Sequence, residues 1–189
     1  HTAYRRQRQM CIRDRDLPVP VGDDWDNVEG FSKHEFAPPE ADRSMEWDMS
    51  SKLIFTMQAI REKAIRIYGR GTKLIVHRNG GFSIQGHSET SLHYKGLAVD
   101  FHIIVPRGTL HPLKQAGLIY DITDSRYGLG VYTWGCHLDY REYSDKGPAV
   151  WFYDGDDYHF RLHNEFYNVA INAGCHPKFT ALQSDDHIF

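Results

Sequence analysis

The sequence predicts an α+β fold: a small, mostly antiparallel sheet with helices packed on one face. Three observations lead there. The stretch after Asp48 carries apolar residues at helical steps of three and four. The run LAVDFHIIV alternates as a half-buried strand does, and GLGVYTW, CHLDYR and PAVWFY follow as three short β-type runs close together. Short hairpin-type connections between these late runs favour antiparallel pairing, with helices on one side of the sheet.

At 189 residues the chain suits one domain with a core of its own. A net charge of -3 supplies no basic face for nucleic acid. No apolar run approaches the length that spans a bilayer, so stable membrane insertion is not expected. Cys11, Cys136 and Cys175 are odd in number and unevenly spaced, and match neither a zinc-finger nor a disulfide framework. Twelve histidines raise the prior for metal chemistry, since imidazole is the commonest protein ligand to transition metals.

The elements follow in order. Residues 1–15 (HTAYRRQRQMCIRDR) are basic, without apolar periodicity, and lack the apolar centre of a secretory signal. They are read as a disordered tail rather than a nucleic-acid- or membrane-binding arm. RRQRQMCIRDR also resembles translated sequencing-adaptor sequence, so 1–15 is taken as non-native and 16–189 as a single domain. Residues 16–47 form an irregular lead-in. Leu53, Met57, Ile60, Ala64 and Ile67 mark one stripe of a helix that Gly69 and Gly71 terminate. Thr72 to Arg78 reads as a short strand. The glycine- and serine-rich stretch 79–91 is a long loop, a length often associated with function.

In the next strand Leu97, Val99, Phe101, Ile103 and Val105 share one face, with Ala98, Asp100 and His102 on the other. A short helix is expected over Leu110 to Ala116. Within CHLDYR, His137, Asp139 and Arg141 share a face opposite Leu138 and Tyr140. A last helix is expected from Asp156 to Ala173.

The chemistry concentrates in Ser91-Leu-His93-Tyr-Lys-Gly96-Leu-Ala98-Val-Asp100. An imidazole at a loop end and a carboxylate on the polar face of a strand make two thirds of a catalytic zinc site. Such a site needs three protein ligands and an open position. A neighbouring strand must give the third, and His137 sits on the polar face of its run.

The pattern S-x-H-x-x-G-x-A-x-D resembles the signature of the M15 group of zinc peptidases. That group includes D-Ala-D-Ala carboxypeptidases, D-Ala-D-Ala dipeptidases and phage L-alanyl-D-glutamate endolysins, and shares its fold with the hedgehog signalling domain. All five fixed positions are matched. GLGVY, then C-H-L-D-Y-R, then Trp151 resembles the late segment of one M15 branch, so the resemblance covers about residues 30–152. It implies a Zn2+ cofactor held by His93, Asp100 and His137, and Asp139 as the base that deprotonates the attacking water. Arg78 corresponds to a family arginine that holds the substrate carboxylate or polarises the scissile carbonyl, and Ser91 either bonds substrate or caps the loop. Two departures stand out. The acid the family often places three residues before the last histidine is Trp134 here, and the arginine segment reads Ile75-Val-His77-Arg78. Asp156-x-x-His159 imitates the acid-and-ligand spacing of other branches and is the competing constellation. The activity so implied is hydrolysis of peptidoglycan stem peptides by a monomer. With no export signal evident, it would be made in the cytoplasm and act on the cell wall, as phage endolysins do. A non-catalytic, zinc-holding domain of the hedgehog type is the alternative.

Overall fold

The computed structural model describes residues 20–41, 44–123, 126–142, 149–153 and 156–159. Two α-helices, α1 (Ser51–Tyr68) and α2 (Pro112–Tyr120), accompany seven strands: β1 (Lys73–Val76), β2 (Ala98–Val105), β3 (Gly108–Thr109), β4 (Tyr127–Val131), β5 (Cys136–Tyr140), β6 (Ala149–Tyr153) and β7 (Tyr158–His159). They form one sheet in the order β1-β2-β5-β4-β6-β7, with β3 folded back on β2. Every pair is antiparallel except β4 with β6. That exception arises because β5 inserts between β2 and β4, leaving the free edge of β4 for β6. The α+β expectation is met, helices on one face included.

Alternation in β2 and β5 assigns the two faces. Leu97, Val99, Phe101 and Ile103 are fully buried, as are Cys136, Leu138 and Tyr140, and both helices pack against this side. The Cys136 thiol is driven upward in pKa by burial and faces the carbonyl of Pro112, away from the opposite face. No helix among the described residues is long and apolar enough to cross a membrane.

Three expectations need correcting. Ile67 is 56% exposed, and Tyr68 packs on the core in its place. The buried series therefore runs 53, 57, 60, 64 and 68, because the last step along the helix face is four residues rather than three. α2 extends four residues beyond Ala116, since Gly117 is buried and does not break it. Its start is set by Pro112 in the first turn and by His111, whose Nδ1 accepts from the Leu113 N–H at 3.3 Å. Tyr158 and His159, expected to open a helix, instead pair with β6, and the remainder of that expected helix lies outside the described residues.

Candidate metal centre

The face opposite the helices presents a lateral row of residues. Strand register places Asp100 of β2 against His137 of β5, His137 against Gly130 of β4, and Gly130 against Trp151 of β6. One step along lies the row Ala98, Asp139, Gly128 and Ala149. Directly opposed residues on neighbouring strands sit side by side on one face, so the pairing alone brings Asp100 and His137 together. The distances agree: His137 Nδ1 is 2.7 Å from Asp100 Oδ1.

His93 arrives from outside the sheet, on a short 3-10 turn (Leu92–Lys95) just before β2. Ser91 caps that turn, its hydroxyl accepting from the His93 N–H at 3.3 Å. Gly96 closes it at φ 65°, and a Cβ there would lie 2.2 Å from the Asp48 carbonyl oxygen. Only glycine combines that backbone with so close an approach, which fixes where the turn delivers His93. The imidazole is buried, and its Nδ1 meets the Gly81 carbonyl at 2.8 Å. A carbonyl can only accept, so Nδ1 carries a proton and Nε2 is the nitrogen turned toward the cluster. Nε2 lies 3.4 Å from Asp100 Oδ2 and 3.4 Å from His137 Nδ1.

The structure thus brings His93, Asp100 and His137 together. It adds a fourth side chain the sequence reading did not single out. His87, on the glycine-rich loop, stacks on His93 with ring centroids 4.1 Å apart and planes 16° from parallel. Ligating atoms of His87, His93 and Asp100 lie within 4.8 Å of one another, a His–His–Asp group able to hold a metal ion. His87 Nε2 is tied to the Asn79 carbonyl at 3.0 Å. Its pKa is lowered, first by burial and then by the charge of His93. The available signal was a second histidine in a loop already marked as functional, six residues before the motif histidine. Imidazole nitrogens with a single carboxylate make a donor set suited to a transition-metal ion.

Electrostatics tune the site further. Burial would raise the Asp100 carboxyl, but the neighbouring His137 and His93 outweigh it and hold it well below the usual range. Burial would likewise lower His137, yet Asp100 and then Asp139 raise it to about 9. Asp139 is 3% exposed and accepts from His137 Nε2 at 3.0 Å and from Arg141 Nη2 at 3.0 Å. Against the cost of burial, those hydrogen bonds hold its carboxyl at about 2. Asp139 therefore contacts the imidazole on the nitrogen that does not face Asp100, with its charge committed to Arg141.

Two glycines in β4 make this possible. A Cβ on Gly128 would lie 2.2 Å from Arg141 Nε, and one on Gly130 would lie 2.6 Å from Trp151 Cε2. The missing side chains leave room for the guanidinium beside Asp139 and for the indole 5.4 Å from the His137 ring. The Arg141 guanidinium in turn lies 5.2 Å from the Trp151 ring centre.

Two further expected residues make no contact recorded with this cluster among the described residues. Arg78 is exposed in the turn after β1, and Asp156 is exposed between β6 and β7. No family model matches the chain, and no curated protein matches it either.

Proposed function

We propose that this chain is a zinc-dependent peptidase that hydrolyses stem peptides of peptidoglycan, as its likeness to the M15 zinc peptidases implies. The observation that carries the reading is the convergence of His93 Nε2 and the Asp100 carboxylate, both of the matched motif, with His137 Nδ1, each within 3.4 Å of the next. A zinc ion there would polarise the scissile carbonyl and acidify water for attack. The chain's own groups supply the rest. Gly81 and Asp139 fix the two imidazoles from their far nitrogens, the arrangement that sets ring orientation and raises ligand basicity. Asp139, committed to His137 and Arg141, acts as a positioning residue in this reading rather than as the base. His87, half-buried beside the cluster with its pKa lowered first by burial, is the candidate proton acceptor in this reading. Arg78 remains the candidate for the substrate carboxylate, and Ser91 serves to cap the turn.

A second reading has its own observation. The ligating atoms of His87, His93 and Asp100 lie within 4.8 Å of one another, a set that excludes His137 and would make the domain a non-catalytic metal holder of the hedgehog type. Mass spectrometry of purified peptidoglycan digested with the zinc-loaded chain separates the two. The peptidase reading expects new stem-peptide termini that disappear on chelation and return with zinc. Intact peptides at full zinc occupancy would sink it and favour the non-catalytic metal holder.

A further inference from the structure

A second feature of the same face is left unused by the metal cluster. The turn joining β4 to β5, closed by the Tyr132 N–H donating to the Gly135 carbonyl at 2.9 Å, carries a tryptophan at its tip. Turn tips ordinarily hold Gly, Asn, Asp or Ser, for conformational reasons a bulky indole does not satisfy. Trp134 is 41% exposed, yet it is held firmly. Tyr132 stacks against it at 4.7 Å and 15°, and the His77 ring lies 4.6 Å away. His77 is itself fixed by a 2.7 Å hydrogen bond between its Nε2 and His102 Nδ1.

From Trp134 the aromatic surface runs back to the metal cluster. Trp151 Nε1–H donates to the Tyr132 hydroxyl at 3.1 Å, Tyr153 lies 5.9 Å from Tyr132, and Trp151 lies against His137. Rigid rings with polar edges, presented to solvent beside a reaction centre, suit a ligand that is flat and apolar on its faces and polar around its rim. A pyranose ring has that construction: axial C–H groups on its faces and hydroxyls or amides at its periphery. The cations that border this row, Arg141 over Trp151 and His137 beside it, lie at its metal-side end, whereas the exposed end carries the Trp134, Tyr132 and His77 rings, which suits a ligand with an uncharged, hydrogen-bonding rim.

We propose that the Trp134–Tyr132 edge is a binding subsite for a neutral N-acetylated hexosamine ring of the glycan strand to which the hydrolysed peptide is attached. The choice of glycan rests on the peptidase reading, but binding can be measured without hydrolysis. The probe is a peptide-free tetramer of N-acetylglucosamine, titrated against the full chain while tryptophan fluorescence and amide NMR shifts are followed. Wild-type chain is expected to bind it, Trp134→Ala to bind about tenfold more weakly, and Trp134→Phe to fall between, the scale of one lost aromatic contact. Circular dichroism confirms that each variant is folded. In hydrolysis assays Trp134→Ala is expected to slow cleavage of intact peptidoglycan while leaving cleavage of free stem peptide unchanged. Absence of tetramer binding by the wild-type chain, or equal binding by Trp134→Ala, overturns the subsite. So does preference of the same edge for an apolar peptide. Tetramer binding through Trp134 without any peptide cleavage would keep the subsite and remove the peptidase reading.

Discussion

Metal uptake by this chain is expected to depend steeply on pH, and His137 sets the size of the effect. Without metal its imidazole bridges two carboxylates, with Asp100 2.7 Å from Nδ1 and Asp139 3.0 Å from Nε2. Burial opposes the charged form, but the carboxylates prevail and raise the group to about 9. Nδ1 can ligate only after its proton leaves. At pH 7 a group titrating at about 9 is roughly 99% protonated, so apparent affinity falls about 100-fold below its high-pH limit, about 2.7 kcal/mol. An imidazole at its ordinary value would cost less than about twofold at the same pH. Calorimetric titration with Zn2+ in two buffers of different ionisation enthalpy counts the protons. The expected result is about one proton released from this group at pH 7, with affinity rising nearly tenfold per pH unit between about 6.5 and 8. Flat affinity with no proton release would refute the bridging geometry. The same shift acts on the metal-free fold. Because the folded value lies above the unfolded one, its stabilisation is complete below about pH 6.5 and is lost as pH rises through about 9. The melting temperature of the chelated chain should therefore fall across that window.

Other perturbations separate the roles of individual residues. Asp139→Asn removes the acceptor that fixes His137 and the charge opposite Arg141, and should weaken zinc binding by about 10- to 100-fold, read by competition with a chromophoric chelator. Unchanged zinc affinity with turnover cut by about two to four orders of magnitude would instead restore Asp139 as the base. Gly130→Ala places a Cβ 2.6 Å from the Trp151 indole and should lower stability by about 1–3 kcal/mol in urea unfolding, with a changed tryptophan emission. His87→Ala should leave zinc stoichiometry at one per chain while reducing turnover if His87 moves protons. Loss of bound zinc in that variant would mark His87 as a metal ligand alongside His93 and Asp100.

Periodicity in the sequence carried the fold class, because alternation and helical spacing are local consequences of backbone geometry. The two faces of β2 were readable from LAVDFHIIV, and the fixed spacing from Ser91 to Asp100 located His93 and Asp100 within one turn-and-strand unit. Their neighbourhood with His137 was an expectation of resemblance; it became geometry only when the strand order put β5 beside β2 with Asp100 opposite His137. No local signal in the chain encodes that order, which depends on how the whole sheet packs against the two helices. The same holds for Asp139, whose place two residues from His137 suggested reach to a water. Only the folded chain shows that it also holds the far nitrogen of His137 and pairs with Arg141, whose guanidinium occupies the space a Gly128 side chain would fill. His87 joined the cluster for a similar reason. A glycine-rich loop leaves little periodicity to read, and only the hydrogen bonds that fold it back, such as Asn79 to His87 and Gly81 to His93, bring its histidine onto the motif. Spacing along the chain determined which side chains were able to ligate, and tertiary contacts decided which ones meet and which nitrogen each presents.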